Sequence, residues 1–347
     1  MEIVKEFSSI SLPISEPEYR QMPELSYSTL STYESVGYNG LDHLFDRKES
    51  PSLQFGSVVD CLVTGSDEEF QSLYYVADFP SIGEKELQVV TGIFNQYGKD
   101  YPTMESIPAT YILEAANANE FQKNWRDDTR VRILTERCSQ YYQVRVEAKD
   151  KTVISLEDFE DAKACLRALK ESPSTCGYFA DNDPMSPIRR YYQLKFRANF
   201  NGVGYRNMAD ELVVDYEEKK VYPIDLKTSF PPEWDFEKNF LQWHYYIQAR
   251  LYWRIIRDNM DRDPYFKDFT LENYRFIVVN RKTLTPLVWE FPLTTIYGTL
   301  VDDKGNEIRD PFVIGEELQS YLNFRPPVPK GIDMDGINTI TCLRLKE

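Results

Sequence analysis

Two acidic residues and a lysine have the types and spacing needed to bind a divalent cation and hydrolyse a phosphodiester. In the run PIDLKTS, β alternation places Asp225 and Lys227 on one face of a strand, while the residues between them point the other way. Asp210 precedes an apolar run upstream, and adjacent antiparallel strands would bring it beside Asp225. Because Mg²⁺ prefers a few hard oxygen ligands, the pair predicts a magnesium site, with Mn²⁺ as the alternative. The ion would acidify a water, and Lys227 would orient that water or stabilise the transition state.

The spacing of an acid and a lysine two residues apart is a weak signal by itself, because the chain contains other copies. The copy at Asp161 is predicted on a helix and the copy at Glu218 in a turn, so neither gives a same-face pair on a strand. The copy at Glu147 remains an alternative, because QVRVEAK could form a strand. Its flanks are less regularly apolar than those of Asp225.

The surrounding pattern predicts an α/β (α+β) core, in which a mixed central sheet is flanked by helices. Strands are expected over 188–200, 204–216, 220–230, 274–280 and 286–291, with one long helix over 234–258. Upstream, 66–172 is mainly helical, and Ser28 is expected to cap a helix over 28–36. The predicted organisation is an N-terminal segment 1–50, a mainly helical part 51–180 that gives the first core helix and a cap, a catalytic core 181–330 and a tail 331–347.

Bulk composition limits the class of protein. With 347 residues and 42% hydrophobic residues, the chain can build a sizeable core. No signal peptide or apolar run of membrane-spanning length is visible, so a cytoplasmic protein without a membrane partner is expected. Five scattered cysteines without a C-x-x-C pair indicate reduced thiols. A net charge of −16 argues against coating nucleic acid by bulk attraction, but it allows DNA to enter a confined basic groove.

The motifs together resemble the PD-(D/E)xK nucleases, and in particular the phage and prophage exonucleases related to RecE (exonuclease VIII). The most specific matches are YRNMADELVVD, PIDLKTS and HYYIQARLY, and weaker ones are LSYSTLSTYE and FGSVVDCLVTG. The resemblance implies a restriction-endonuclease-like core with a helical N-terminal or inserted region. It makes Asp210 and Asp225 metal ligands, with the Leu226 carbonyl as a further oxygen, and Lys227 the catalytic lysine. It also places Gln248 and Tyr252 on the following helix near the catalytic site, with Gln248 as a further catalytic residue.

Other candidate residues carry less information. In FGSVVD, Asp60 stands where relatives with a G-x-x-x-H helix have a histidine, so it is either a metal ligand or a helix-surface acid. The candidate DNA contacts are Tyr252, Arg206, Arg190 and His244. His244, Gln248 and Tyr252 follow one another at helical spacing of four, although ordinary packing also explains His244.

The resulting prediction is a Mg²⁺-dependent deoxyribonuclease, an exonuclease on double-stranded DNA ends in phage-type recombination. It would work in the host cytoplasm if phage-encoded. A single-strand annealing protein and self-association are the expected protein partners. Two alternatives remain open: an endonuclease or junction resolvase on the same fold, and a non-catalytic DNA- or protein-binding module that kept the nuclease fold. The sequence does not distinguish the direction of digestion or the strand preference.

Overall fold

The computed structural model describes residues 5–38, 41, 44–45 and 50–323. The predicted tail 331–347 lies outside these residues. The described residues form two compact units, one drawn from the ranges 1–56 and 167–347 and the other from Ser57–Leu166. The first unit contains the predicted catalytic strands.

The helices and strands are numbered along the chain. The helices are α1 (Glu16–Arg20), α2 (Tyr27–Val36), α3 (Pro51–Thr64), α4 (Asp67–Leu73), α5 (Glu84–Tyr97), α6 (Ala109–Ala118), α7 (Asp127–Ala148), α8 (Leu156–Glu171), α9 (Phe236–Phe240), α10 (Tyr245–Arg262) and α11 (Pro311–Asn323). The strands are β1 (Tyr74–Ala77), β2 (Thr152–Ser155), β3 (Ile188–Phe200), β4 (Val203–Asp215), β5 (Lys220–Ser229), β6 (Thr270–Leu271), β7 (Tyr274–Asn280), β8 (Leu287–Phe291), β9 (Leu300–Val301) and β10 (Glu307–Ile308).

The main sheet of the first unit is mixed and has the order β3-β4-β5-β7-β8, with β6 also paired to β5. Strands β3, β4 and β5 are joined antiparallel, whereas β5 and β7 run parallel. A parallel pair needs a crossover connection, and α10 lies in the chain between these two strands. The predicted α/β class, with a central mixed sheet flanked by helices, is confirmed. Strand β5 lies between β4 and β7 and carries the Asp-x-Lys pair.

The region from 234 to 258 corrects the prediction of one long helix. A 3₁₀ turn, Glu233–Asp235, and the short helix α9 come first, and α10 begins only at Tyr245. The break lies at His244, whose φ of 55° is left-handed and cannot continue an α-helix. Helix α10 is then buried along most of its length, and the side chain of its residue Arg250 is fully buried.

The N-terminal residues complete an edge of β4. The N–H of Leu25 donates to the carbonyl of Gly204, and the N–H of Arg206 donates to the carbonyl of Leu25, both at 2.9 Å. Helix α2 then begins after Ser26, whose hydroxyl accepts from the N–H of Thr29. The predicted cap Ser28 is therefore wrong by two residues, because Ser26 has the extended backbone of a cap.

The second unit is helical around α5, α6 and α7, with a parallel pair of strands β1 and β2. Its core includes Leu134, Cys138 and Tyr142 from α7, which repeat at intervals of four residues. The possible strand QVRVEAK is the end of this helix, so Glu147 does not lie on a strand. This removes the geometric basis of the rival motif. No helix in the described ranges is long and apolar enough to cross a membrane.

Candidate active site

The carboxylate of Asp225 lies at the centre of a polar cluster inside the first unit. Its side chain is only 1% exposed, and its strand lies between two others. Lys227 Nζ lies 2.5 Å from Oδ2 of Asp225. The Gln248 side-chain amide donates to Oδ1 from helix α10. A buried carboxylate is costly unless it is paired, and the cation and the amide together meet that cost.

Asp210 reaches the same place because β4 and β5 separate there. The β4–β5 pairing ends at Glu211 opposite Ile224, one residue before Asp210 and Asp225 would meet. Beyond this point the Asp210 side chain replaces the sheet bond, since its Oδ2 accepts from the N–H of Leu226 at 3.0 Å. The two carboxylates therefore flank a gap between neighbouring strands. The structure brings together Asp210, Asp225 and Lys227, as the sequence predicted.

On the side of β4 away from β5, Gln193 of strand β3 lies opposite Asp210. The pairs on either side of it, Tyr192 with Glu211 and Leu194 with Ala209, place Gln193 opposite Asp210. Its φ of 53° interrupts the regular pairing there. The pairing of β4 is thus irregular at Asp210 toward both β3 and β5. Such local departures from regular backbone geometry cluster at functional sites.

Lys227 keeps its positive charge in this environment. Burial by itself lowers the pKa of the Lys227 ammonium, but Asp225 first and then Tyr245 and Asp210 more than offset this, and the pKa is raised. The side chain remains 20% exposed, so the ammonium is partly open to solvent. It also lies 5.0 Å from the ring centre of Tyr245, a cation–π contact. Lys227 is therefore a fixed cation beside the carboxylates.

Two tyrosines of this environment were not predicted from the sequence. Burial raises the pKa of Tyr27, and the neighbouring Lys227 opposes that rise. Tyr245 packs 6.3 Å from the ring of Tyr27. Both residues lie within motifs that carry the family resemblance, LSYSTLSTYE and HYYIQARLY. Membership of these motifs was the sequence signal that could have placed them near the site. Composition alone assigns most tyrosines to the core and does not single out these two.

The donor set fits a hard divalent cation. Asp210 and Asp225 offer carboxylate oxygens, and Oε1 of the 4% exposed Gln248 has no hydrogen-bond partner within the described ranges. An unpartnered buried amide oxygen on a residue hydrogen-bonded to Asp225 is a suitable donor for a cation that takes oxygen ligands. In the residues that the structure describes, no group of three or more His, Cys, Asp or Glu side chains converges. Two carboxylates with waters are a common arrangement for Mg²⁺.

The predicted ligand Asp60 belongs to the second unit. It is half-buried on α3. Gly56, four residues earlier on that helix, belongs to the first unit, and an added Cβ there would lie 3.1 Å from the Thr228 hydroxyl oxygen. The glycine of the G-x-x-x-D pattern thus permits a close approach to the residue after Lys227. Whether Asp60 binds a metal remains a prediction, as does the role of the Leu226 carbonyl.

The predicted DNA contacts Arg190 and Arg206 have other roles in the fold. The guanidinium of Arg190 donates to the carbonyls of Tyr178, at 2.7 Å, and Gly177, at 2.6 Å, and its side chain is buried. Arg206 is also buried, and it donates to the carbonyl of Tyr19. These contacts hold the preceding chain segments against the sheet. Direct binding of DNA by either arginine stays a prediction without support from these positions.

His244 and Tyr252 were predicted on one helix face with Gln248. His244 precedes α10 as its cap and is half-buried, and burial lowers the pKa of its imidazole. Tyr252 is buried, and burial, Tyr19 and Asp225 together raise its pKa well above the usual value. The charges of Asp225 and Asp210 thus act on the Tyr252 hydroxyl, as expected for a residue one turn after Gln248. Contact of either residue with DNA stays a prediction.

Comparisons with known proteins add a general likeness. No protein-family model matches the chain, and no curated protein matches it. Among solved structures, it is similar to a crystal structure of a "Putative exonuclease" from Eubacterium rectale, with a TM-score of 0.44 and 13% identity. The match covers 90% of this chain and 86% of the other. At this level of similarity, a function has to be argued from the site itself.

Proposed function

We propose that this chain is a Mg²⁺-dependent deoxyribonuclease, and that it acts as an exonuclease on the ends of double-stranded DNA. The observation that supports this best is the gap between β4 and β5. There Asp210 and Asp225 flank one space, and Lys227 places a cation against Asp225. Carboxylates with an adjacent lysine suit the hydrolysis of an anionic phosphodiester. The exonuclease assignment rests on the family resemblance of the sequence.

Each residue has a distinct role in this proposal. Asp210 and Asp225 would hold Mg²⁺, with the Leu226 carbonyl as a further oxygen. When bound, the ion supplies an acidified water and neutralises negative charge on the phosphate. Lys227 orients the attacking water or balances the charge that develops on the phosphate oxygens. Gln248 fixes the rotamer of Asp225 through its amide.

A digestion assay on two DNA forms tests the proposal. Linear duplex and covalently closed circular duplex are incubated with the full chain, in Mg²⁺ and in EDTA. We expect the linear DNA to be degraded from its ends in Mg²⁺, the circle to stay intact, and both to survive in EDTA. The Asp225→Asn variant is the matched inactive control, because it keeps the size of the side chain.

The remaining outcomes separate the alternatives. Cutting of the circle would identify an endonuclease or resolvase and overturn the exonuclease assignment. If neither DNA is cut in Mg²⁺ or Mn²⁺, the nuclease proposal is wrong, and a non-catalytic binding module becomes the better account. Cleavage that persists in EDTA would overturn the metal dependence, and cleavage by Asp225→Asn would show that another site is responsible.

Two protein partners extend the proposal. An exonuclease that leaves a single strand would hand it to an annealing protein or recombinase, in the host cytoplasm for a phage-encoded enzyme. Self-association would also let a chain with a net charge of −16 enclose DNA, with its negative exterior facing solvent. Sedimentation velocity tests the second idea, and a monomer at all concentrations would refute it.

A further inference from the structure

The segment that follows the catalytic strand exposes large apolar side chains. Phe230 is 81% exposed and Trp234 is 55% exposed, and Trp243, further along the same segment, is 56% exposed. Phe230 comes directly after β5 and three residues after Lys227. Single exposed apolar residues are ordinary, but several on one short segment beside a candidate site indicate a binding surface. We call residues 230–234 the aromatic loop.

The backbone of the aromatic loop is held in place from one side by Asn280. Its side-chain amide donates to the carbonyls of Ser229 at 2.9 Å, Phe230 at 2.7 Å and Pro231 at 3.1 Å. Asn280 is buried at the end of β7. The two N–H bonds of one fixed amide are thus shared among three successive carbonyls, which constrains a turn that has no regular secondary structure.

Glu233 holds the loop from within. Its carboxylate is fully buried and accepts from the N–H groups of Asn280 and Thr285, both at 3.0 Å. The indole N–H of Trp289 donates to the Glu233 carbonyl at 3.2 Å. The loop is therefore rigid where it is anchored, and the exposure of Trp234 beside it is not a consequence of a loosely packed segment. Such preorganisation favours binding, since less freedom is lost on contact.

The residues that follow the aromatic loop contact the surroundings of the candidate active site. Lys227 Nζ lies 5.0 Å from the ring centre of Tyr245, and that ring stacks on Phe236 at 5.4 Å. Phe236 lies two residues after Trp234. Further along the segment, the Trp243 carbonyl accepts from the Tyr27 hydroxyl at 2.6 Å. The segment that carries the exposed aromatic residues thus packs, through Phe236 and the Trp243 backbone, against the surroundings of Lys227.

We propose that Phe230 and Trp234 stack on unpaired nucleobases of the DNA strand at the active site. This rests on the proposed nuclease function and specifies a substrate element, a locally single-stranded end. Aromatic side chains bind single-stranded DNA by stacking, because every base has a flat apolar face. The surroundings suit phosphates, since Arg281 and the exposed Lys282 follow Asn280 directly. Asp235, the acid next to Trp234, is ion-paired with Lys238.

A binding measurement separates stacking from attraction to phosphates. The full-length chain is titrated in EDTA with a fluorescent oligothymidine strand and with an abasic strand of equal length. We expect the wild type to bind oligothymidine at least about tenfold more tightly, given the usual contribution of a stacked base. In the Phe230→Ala/Trp234→Ala double variant, this preference disappears while affinity for the abasic strand is unchanged.

The matched control replaces exposed side chains elsewhere. Met185 is 90% exposed and Trp125 is 42% exposed, so Met185→Ala/Trp125→Ala removes comparable apolar surface. This control should keep the preference for bases. Equal affinity of the wild type for both strands, or a preference that survives in the aromatic-loop variant, would overturn the proposal.

Sedimentation velocity and the digestion assay, applied to the same variants, distinguish base stacking from self-association and from cleavage. If the wild type self-associates and the aromatic-loop variant becomes monomeric without a change in base preference, the surface is a protein interface and the stacking proposal is wrong. The titration is made without metal, so it does not depend on cleavage. A chain that prefers bases but cuts no DNA would refute the nuclease function and leave the base-binding surface standing.

Discussion

Gln248 on helix α10 donates its side-chain amide to Oδ1 of Asp225 on strand β5, and both side chains are almost completely buried. The bond ties the helix that covers the sheet to the carboxylate that the candidate chemistry needs. The other amide atom, Oε1, has no hydrogen-bond partner in the described part of the chain. Replacing Gln248 therefore tests the orientation of the Asp225 carboxylate while leaving its charge in place.

Replacing Gln248 with leucine should reduce DNA cleavage by about 10- to 100-fold, as expected for a residue that orients a metal ligand. The Mg²⁺ concentration for half-maximal rate should rise, because Asp225 is no longer fixed. Stability should fall by about 1–3 kcal/mol, since the buried Oδ1 loses its donor. Initial rates across a Mg²⁺ titration and urea denaturation measure these effects. Gln143→Leu, at an exposed helical position, is the control, and an unchanged rate in Gln248→Leu would exclude the orienting role.

The variants Asp225→Asn and Lys227→Met should each lower the cleavage rate by at least about a thousandfold, because each removes a charge that acts on the transition state. The melting temperature of Asp225→Asn should change little, since the loss of the ion pair with Lys227 is offset by relief of repulsion with Asp210. Single-turnover digestion and thermal unfolding measure the two effects. Glu147→Gln, in the rival motif on α7, should keep full activity. Near-normal activity of either site variant would show that the site is misassigned.

If Asp60 contributes to metal binding, Asp60→Asn should require several times more Mg²⁺ for half-maximal rate, with a smaller effect on the rate at saturation. Asp67→Asn, on the neighbouring helix α4 and exposed, serves as its control. The measurement is a Mg²⁺ titration of the initial rate. An identical titration curve for Asp60→Asn and the wild type would return Asp60 to the class of structural residues.

Cysteine reactivity tests the packing of the second unit without any assay of function. Cys138 is buried, and burial raises the pKa of its thiol to about 12. The thiolate is the reactive form, so a raised pKa leaves little of it at pH 8. We expect an alkylating reagent to modify the half-buried Cys176 in the native protein and Cys138 only after denaturation. Peptide mass mapping after a short pulse measures this. Rapid labelling of Cys138 in the native protein would contradict its buried position in the core of the second unit.

The catalytic strands were predictable because their apolar and polar side chains alternate. The limits of β3 and β7 were predicted to the residue, and β5 differs only at its end. The meeting of Asp210 and Asp225 also followed from the turn between their strands. The local sequence pattern was sufficient to predict strands and their pairing wherever neighbouring strands are joined by short connections.

The remaining features depend on contacts that a local pattern does not contain. The separation of β4 and β5 at Asp210 occurs in a strand whose edge also pairs with Leu25, a residue distant in sequence. The interruption at His244 depends on a left-handed residue that is not glycine, for which the sequence gives no turn signal. The carbonyl partners of the buried Arg190 and Arg206 are likewise not evident from the residues beside them.

The mixed pairing of β5 imposes an order on how this centre assembles. Its antiparallel partner β4 is joined to it by a tight turn, whereas its parallel partner β7 emerges only after the whole of α10. Contacts between near neighbours in sequence close quickly, and distant ones close slowly. During synthesis, the two carboxylates would therefore meet first as an isolated ribbon, in which Lys227 offsets their repulsion but the orienting amide of Gln248 is still absent. Pulse-labelling hydrogen exchange during refolding should accordingly protect the amides of β3 and β4 before those of β7.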